Sequence, residues 1–526
     1  MKIRNLFRKK KVVKPAIKSQ NRNYTMASSW LASFATNNGY DGSKGYNLFG
    51  CSRDFSIEGL NYRELTVRAY QIYIANMYAD QIMTRATTAV IGEGLALEAK
   101  PNRQILTFTD DEYRNWSNRV EALFDLWATD KVLIDHYKVK NFYQLQTEID
   151  TERRLGDVLV VLRPNRETDF LSIQVIKGSL IRTPLAVDIN EGHKIVDGVE
   201  LDASNAPIAY WVSPENSINP SDFIRIPRFG TKTKRNIAFL VFGRPPLAGE
   251  TRGRPWMSSV LEPLQQLALY TDYELNAAKI NATLAMVIRN TKGEAPSMPF
   301  GGINVEQQTL DDAAGCNTMQ YKALTDMPPG QIAQVLQHGE EIVSHNTQRP
   351  NVNFPAFVST IKSNIASTLE LPPEFVDLQY QNNFSASRQA GIDLGVYIKK
   401  ERGLFSTQFN SIIYSEWLTN AVLSGIVSAN GYIESLTNGN FFVKNAWQQA
   451  DFMGQIRQSV DILKEARAYK VYADEAWMSR EEITRRVGGG DFSVNVTKLK
   501  DENEQLADAN EPLQVIDDTV VPLTDS

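Results

Sequence analysis

The stretch from Arg252 to Gly425 constrains the fold of this chain more than any other part of the sequence. It begins with Arg-Gly-Arg-Pro-Trp, continues as a long helical pattern, and becomes rich in Gly, Pro and polar residues over positions 290–352. A short helical pattern, a polar segment and a second long helical pattern follow. This order predicts a helical shaft with a short polar segment at each end. Such an arrangement is typical of a part of a larger assembly rather than of an enzyme.

The region before this shaft mixes helical and strand patterns. Apolar residues recur at helical spacing over Tyr62–Val90, from Asp110 onward, and from Asn141 to Leu155. Short apolar runs bounded by turn residues indicate strands at 158–162, 171–176, 195–201 and 208–212. The sequence up to residue 250 therefore predicts an α+β domain.

Prolines and polar residues divide the shaft into separate elements. Pro255 suits the start of a helix that reaches Ala285, and Pro263 should kink this helix or delay its start. The elements predicted after it are a short helix at Phe357–Leu369, a loop at Asp377–Ser387, a long helix at Arg388–Gly425 and a further helix at Asp451–Lys470.

Charge is distributed unevenly along the chain. The formal net charge is −5, which excludes a globally basic nucleic-acid-binding protein but not a local basic site. The first 22 residues contain nine Lys and Arg and no acid, whereas residues 501–526 contain eight acids and no Lys or Arg. We interpret the N-terminus as a basic arm, either disordered or in contact with nucleic acid or an acidic partner, and the C-terminus as a solvated tail. No apolar run is long enough to predict a membrane span.

The sequence lacks the common catalytic motifs. It contains no phosphate-binding loop ending in Gly-Lys-Ser/Thr, no Gly-x-Ser-x-Gly elbow and no His-Glu-x-x-His helix. The four histidines are scattered, so no metal site and no cofactor are predicted. Asp110, Asp111 and Glu112 are consecutive and would point in different directions on a helix, so we interpret them as a helix start. A nuclease that uses these acids is the alternative.

Two segments are candidates for contact with nucleic acid. The first is polar and weakly charged, and its members are Gln379, Tyr380, Gln381, Asn382, Asn383, Phe384, Ser385, Ser387 and Arg388. The second is a basic cluster formed by Lys399, Lys400 and Arg402, which is a solvated helix face, a contact with phosphates or a contact between subunits. No catalytic residue is predicted.

Several motifs within residues 50–430 form an ordered set. Val90-Ile-Gly-Glu-Gly-Leu-Ala-Leu97 is a glycine turn after a helical pattern, and Arg252-Gly-Arg-Pro-Trp256 has Arg244-Pro-Pro upstream. The other members of the set are Asp197–Asp202, Pro207–Val212, Asp272–Lys279, Pro329–Gly330, Gly339–Glu341, Leu371–Phe375 and Phe384–Arg388. In order and spacing these motifs resemble those of the lambda-type portal proteins of tailed phages, in which the first looks like the turn after the family's first wing helix and the second is similar to its arginine–proline stretch. The sequence departs from the family at Trp447–Phe452, which lacks two prolines common there.

The resemblance implies an α+β portal fold with a wing, a helical stem, a β-containing clip and a helical crown. The boundaries that it implies are a basic arm at 1–50, a wing at 51–255, a first stem helix at 256–289, the clip at 290–352, a second stem helix at 353–372, a tunnel loop at 373–388, a long wing helix at 389–430, wing and crown helices at 431–500, and an acidic tail at 501–526.

The resemblance also implies a function. A ring of about twelve copies at one capsid vertex would form the channel for DNA packaging and ejection, with the polar segment in the channel. The implied partners are double-stranded DNA bound without sequence preference, the terminase large subunit, the head–tail adaptor, and the major capsid and scaffolding proteins. The protein is expected in the virion after assembly in the host cytoplasm, without a membrane. A nucleic-acid-processing enzyme and a monomeric DNA-binding accessory protein are the alternatives.

Overall fold

The chain divides into two compact units, Met1–Gln265 with Lys362–Ser526, and Gln266–Ile361. A computed structural model describes residues 62–165, 170–184, 192–213, 222–248, 250–283, 287–290, 340–343, 353–379, 384–454, 462–487 and 492–508. The basic arm at 1–50 lies outside these residues. Within them, no helix is long and apolar enough to cross a membrane.

Up to Arg154 the described chain is mainly helical. Its elements are α1 (Tyr62–Ala75), α2 (Met77–Val90), β1 (Ala96–Ala99), α3 (Arg103–Leu106), α4 (Asp110–Thr129), α5 (Lys131–Ile134) and α6 (Phe142–Arg154). The sequence predicted one helix over Tyr62–Val90, but the structure divides it at Asn76. The Asn76 side chain accepts hydrogen bonds from the backbone N–H groups of Tyr78 and Ala79 and so caps α2.

The predicted helix start at Asp110 is confirmed. Thr109 and Glu112 form a capping box, in which each side chain bonds to the backbone of the other residue. Asp110 also pairs with Arg103 at 2.7 Å. Two of the acids that the nuclease alternative requires are therefore engaged in holding the start of α4.

Seven antiparallel strands follow in two sheets. They are β2 (Asp157–Pro164), β3 (Leu171–Lys177), β4 (Lys194–Val196), β5 (Val199–Leu201), β6 (Pro207–Val212), β7 (Ile224–Pro227) and β8 (Ala238–Phe242). The strand orders are β3-β2-β8 in one sheet and β4-β5-β6-β7 in the other. The single strand predicted at 195–201 is wrong, because Asp197 and Gly198 both have positive φ and form the turn of a hairpin.

Both sheets contribute side chains to one core cluster. Leu159 and Val161 of β2 pack there with Leu240 of β8 and with buried residues of the other sheet, such as Tyr210. The remaining members are Ile181, Val199, Leu201, Val212, Ile226 and Ala238. Each of these sheets therefore buries one face in a shared interior, as the α+β class requires.

The remaining elements begin at the shaft. They are α7 (Leu261–Thr283), β9 (Val287–Asn290), β10 (Glu340–Val343), α8 (Phe354–Thr368), α9 (Pro373–Asp377), α10 (Phe384–Phe405), α11 (Ser411–Leu423), α12 (Tyr432–Asn438), α13 (Phe441–Gln448), β11 (Ala450–Met453), α14 (Ile462–Asp474), α15 (Arg480–Val487) and α16 (Phe492–Asp508). Pro263 is the third residue of α7, where its missing N–H costs no helical hydrogen bond, so the predicted delay of the helix start is confirmed.

Strands β9 and β10 pair in antiparallel fashion within the unit Gln266–Ile361. Strand β10 lies within the segment at 290–352 that was predicted to contain β-structure, whereas β9 begins at Val287, inside the stretch at 256–289 that was predicted as the first stem helix. The strand-like piece predicted at Ile332–Leu336 lies outside the described residues.

One helix predicted near the C-terminus is wrong. Asp451–Lys470 is not one helix, because β11 occupies its start and pairs with β1, which places Phe452 opposite Leu97 in a buried position. The acidic segment predicted as a solvated tail from residue 501 is helical as far as Asp508, where α16 ends.

Candidate functional site

The polar segment that was predicted as a loop is shorter in the structure. Helix α9 occupies Pro373–Asp377, and α10 already begins at Phe384. Phe384, Ser385, Ser387 and Arg388 therefore belong to the first turns of α10, where Ala, Arg and Gln residues favour the helix. Gln379 is exposed at the end of the described chain before the gap, and Tyr380, Gln381, Asn382 and Asn383 lie outside the described residues.

The start of this segment is fastened to α2. Gln81 donates a hydrogen bond from Nε2 to the carbonyl oxygen of Val376 at 2.7 Å. Lys362 pairs with Asp377 at 3.4 Å, and its ammonium lies 4.7 Å from the centre of the Tyr78 ring. The polar segment therefore leaves from a fixed point on the first unit.

The three residues of the basic cluster have different environments. Lys400 forms an ion pair with Glu370 at 2.7 Å, and both side chains are about half exposed. Arg402 donates from Nε to the carbonyl oxygen of Val90 at 2.7 Å, and burial lowers the pKa of its guanidinium. Lys399 is exposed and forms no ion pair within the part of the chain that the structure describes. Of the three, Lys399 is the side chain most available for a phosphate.

Helix α10 is held to α6 by a buried charge cluster that the sequence analysis missed. Arg153 and Arg154 are completely buried, and the Nε atom of each lies 2.8 Å from an oxygen of the equally buried Asp150. Arg153 also donates to Glu401 of α10 at 3.0 Å, and Arg154 donates to the hydroxyl of Tyr397 at 2.9 Å. Two arginines and two acids make the cluster neutral, which is the arrangement that buried charges require.

The charge cluster also sets the ionisation of its central acid. Burial by itself would raise the pKa of Asp150, but the charges of Arg154 and Arg153 and their hydrogen bonds outweigh this effect and hold the pKa below its usual range. Asp150 therefore remains a carboxylate that can neutralise both arginines. The sequence signal was the spacing of Asp150, Arg153 and Arg154, which places all three on one side of a helix.

The Arg-Gly-Arg-Pro-Trp stretch connects this charge cluster to the sheets. The guanidinium of Arg252 makes two hydrogen bonds to the carboxylate of Asp157, at 2.5 and 2.7 Å. It also donates to the carbonyl oxygens of Gly178 at 2.7 Å and Asp197 at 2.8 Å. Trp256, at the other end of the stretch, lies 4.7 Å from the guanidinium of Arg154. One short segment thus contacts both sheets and the charge cluster.

A π-helical turn at Ser406–Asn410 separates α10 from α11. Within it, Gln408 accepts a hydrogen bond from the backbone N–H of Phe242 at 2.8 Å, and the buried Asn410 accepts one from Gln146 at 3.1 Å. A π turn widens the helix locally and turns such side chains toward neighbouring elements. The long helix predicted at Arg388–Gly425 is therefore two helices joined by this turn, and the turn itself is hydrogen-bonded to α6 and β8.

The described residues contain no group of three or more His, Cys, Asp or Glu side chains that could hold a metal ion. The structure brings the basic cluster next to the charge cluster along α10, while the four central residues of the polar segment lie outside the described chain. The described part of the site is helix α10, held to α6 by buried ion pairs and hydrogen bonds.

Comparison with known proteins identifies the class. Residues 52–402 match the model of the phage portal proteins of the lambda family. This match spans more than half of the chain, including the Arg-Gly-Arg-Pro-Trp stretch, the polar segment and the basic cluster, so the chain belongs to the lambda family of phage portal proteins.

Individual relatives agree with this classification. The chain is 23% identical over 442 residues to the portal protein of Escherichia phage N15 and 22% identical over 444 residues to portal protein B of Escherichia phage lambda, in each case over 82% of both chains. It is 24% identical over 372 residues to a probable portal protein of Halomonas phage phiHAP-1, covering 68% of this chain and 64% of the relative. The resemblance stated from the motifs is confirmed.

Solved structures give a weaker likeness. A chain from the neck of an empty gene transfer agent particle aligns over 80% of this chain and 93% of its own length, with 13% identity and a TM-score of 0.42. A chain from the virion of a native gene transfer agent particle aligns over the same shares with a TM-score of 0.36.

Proposed function

We propose that this portal protein assembles into a ring of about twelve copies at one capsid vertex, and that the ring encloses the channel for DNA packaging and ejection. The match of residues 52–402 to the lambda portal family carries this proposal. In this assignment residues 51–255 form the wing, 256–289 and 353–372 the stem, 290–352 the clip and 389–430 the long wing helix. Residues 431–500 form C-terminal wing and crown helices.

The charge of the chain suits a channel that releases DNA. Each phosphate that a protein neutralises increases affinity and makes movement along the duplex slower, so a channel must limit such contacts. A net charge of −5 per chain, repeated around a ring, provides a repulsive background. Two of the three cations at 399–402 are already engaged within the chain, by Glu370 and by the Val90 carbonyl. These pairings support weak rather than tight contact with DNA.

The partners proposed for this ring are those that the family resemblance implies. We propose that the segment at 290–352 docks the terminase large subunit during packaging and the head–tail adaptor afterwards. The wing would contact the major capsid and scaffolding proteins, and the channel would contact double-stranded DNA without reading its sequence. Assembly would take place in the host cytoplasm and the product would reside at the portal vertex of the virion.

The assembled mass of the purified protein tests the ring directly. We expect a particle of about twelve chains with a central opening, measured by mass photometry and by negative-stain imaging of the same fraction. If the protein alone is monomeric, the measurement is repeated with the major capsid and scaffolding proteins present. A monomer under both conditions would contradict the proposal and favour a DNA-binding accessory protein.

The polar segment is tested by replacing both Asn382 and Asn383 with alanine. We expect an intact ring with altered packaging or with loss of packaged DNA, because these amides would supply the weak contacts in the channel. The measurement is the length and amount of DNA in purified particles. Asn115→Ala, an exposed change on α4, is the matched control. Normal packaging and retention in the double variant would show that this segment does not line the channel.

A further inference from the structure

The outer face of α1 is apolar and has almost no charge. The exposed residues of this helix are Arg63, in the first turn, and then Val67, Tyr70, Gln71, Ile74 and Ala75. Val67, Tyr70 and Ile74 follow one another at intervals of three and four residues, so they share one side of the helix. Ile74 is 67% exposed. Because a helix face that meets water usually carries charged and polar residues, we expect another segment to cover this face.

The opposite side of α1 is already packed within the first unit. Tyr62 and Ala69 are buried there, and the Tyr62 ring lies 4.4 Å from the guanidinium of Arg252. Lys177 donates a hydrogen bond to the hydroxyl of Tyr70 at 3.2 Å and marks one edge of the outer face. Since these contacts fix the orientation of α1, the helix cannot turn its apolar face inward.

The sequence directly before α1 has the pattern of an extended segment with one apolar side. From 49 to 58, the odd positions are Phe49, Cys51, Arg53, Phe55 and Ile57, and the even positions are Gly50, Ser52, Asp54, Ser56 and Glu58. Such alternation is typical of an extended chain that buries one side. Gly59 follows and permits a reversal of the chain. We call residues 49–58 the N-terminal strap, and they lie outside the described residues.

The strap has the length that the outer face of α1 requires. A helix rises about 1.5 Å per residue, so Ile74 lies about 18 Å from Tyr62 along α1. An extended chain advances about 3.3 Å per residue, so the stretch from Gly59 back to Cys51 spans about 26 Å. A reversal at Gly59 can therefore bring Cys51 to the level of Ile74, with the apolar side chains between them over the earlier turns.

We propose that the N-terminal strap folds back at Gly59 and packs its apolar side against the outer face of α1 in the same chain. Leu60 and Asn61 join the strap to α1, and such a short connection gives an effective concentration of about millimolar at this face. A second copy would have to lose its translational and rotational freedom and also compete with the tethered strap. The contact buries apolar groups of both partners, which favours it. The strap thereby holds the base of the basic arm against the first unit.

Disulfide trapping in the full-length protein tests this contact. Cys316 is replaced by serine, so that Cys51 is the one native thiol left, and a second cysteine is introduced as Ile74→Cys. We expect mild oxidation to link Cys51 to position 74 within one chain, detected as a linked peptide pair and as a faster monomer band on a non-reducing denaturing gel.

The matched control places the second cysteine on another helix. Leu126 on α4 is 71% exposed, so Leu126→Cys offers a thiol of similar accessibility. We expect Leu126→Cys to link about tenfold more slowly than Ile74→Cys, because a disulfide forms only when the two Cα atoms come within about 7 Å.

The apolar side of the strap is tested separately. Phe55→Ser combined with Ile57→Ser should slow the link to Ile74→Cys at least about tenfold, because two large apolar groups no longer stabilise the docked strap. Ser52→Ala combined with Ser56→Ala changes the other side of the strap and should leave the rate unchanged.

Three results would overturn the inference. Equal rates for Ile74→Cys and Leu126→Cys would show that the strap is not held at α1. An unchanged rate in Phe55→Ser/Ile57→Ser would show that its apolar side does not make the contact. Links that join two chains, seen as a dimer or a ladder on the denaturing gel, would show that a second copy supplies the strap. None of these results depends on ring formation, so the proposed function stands or fails separately.

Discussion

Replacing Arg252 with alanine is expected to lower the free energy of unfolding by about 3–5 kcal/mol, the usual cost of removing one partner from a buried ion pair. The change leaves the carboxylate of Asp157 completely buried without its cation. It also removes the donor to the carbonyl oxygens of Gly178 and Asp197. The measurement is chemical unfolding at one protein concentration and one salt concentration, since association would shift the apparent stability.

The controls for Arg252 use the same short stretch of sequence. Arg254→Ala is expected to cost clearly less than Arg252→Ala, because the Arg254 side chain is 36% exposed and its guanidinium lies 3.6 Å from Glu250 without the two short bonds that Arg252 makes to Asp157. Arg252→Lys keeps the charge but cannot make the two parallel bonds to Asp157, so an intermediate loss is expected. If Arg252→Ala were as stable as Arg254→Ala, the buried pair would not be the connection between the sheets that the structure indicates.

Replacing Asp150 with asparagine is expected to have an effect of similar size, about 3–5 kcal/mol. Arg153 and Arg154 are both fully buried, and without Asp150 they share only the carboxylate of Glu401. The fastening of α10 to α6 should weaken at the same time. We therefore expect a lower Tm together with faster proteolysis of α10, measured by thermal unfolding and limited digestion.

The pH dependence of Tm identifies why Asp150→Asn loses stability. The folded-state pKa of Asp150 is lowered, mainly by Arg154 and Arg153 acting against burial. Its contribution to stability is therefore present above the unfolded-state pKa of about 4 and is lost as the pH falls through the folded-state pKa. The difference in Tm between the wild type and Asp150→Asn should be largest near neutral pH and should shrink below about pH 4.

Glu148→Ala is the matched control on the same helix. Glu148 pairs with Lys140 at 2.7 Å, but both side chains are about one-third exposed. Loss of such a pair costs about 0–1 kcal/mol, with no strong dependence on pH. A Tm difference for Asp150→Asn that stayed constant from pH 7 to pH 3 would show that lost packing, and not the ionised carboxylate, accounts for the effect.

Elements with a strong local signal could be predicted from the sequence. The continuous apolar run Val158–Leu162 indicated a buried strand, and it is the centre of β2. The acids at Asp110–Glu112 indicated a helix start, which the capping box confirms. Strands of three residues, such as β4 and β5, are too short for a periodic pattern, so the hairpin between them was read as one strand.

In the candidate site, too, the sequence predicted local features but not their partners. Lys399, Lys400 and Arg402 are close in sequence and were predicted as one cluster. In the structure their environments differ, because two of them bind partners elsewhere in the chain. Lys400 pairs with Glu370, and Arg402 donates to the carbonyl oxygen of Val90, which is about 300 residues away in sequence. The assignment of the polar segment to a channel remains a prediction, since its four central residues lie outside the described chain.

The sequence by itself determined the α+β class, most of the helices and, through ordered motifs, membership of the portal family. These properties follow from side-chain periodicity and motif spacing, which can be recognised in short stretches of the sequence. Only the tertiary structure decided that Arg252 binds Asp157, that Glu401 meets Arg153, and that Ala450–Met453 is a strand. Each of these depends on a partner far away in sequence, and a buried charge or a short strand is stable only where that partner is brought within hydrogen-bonding distance.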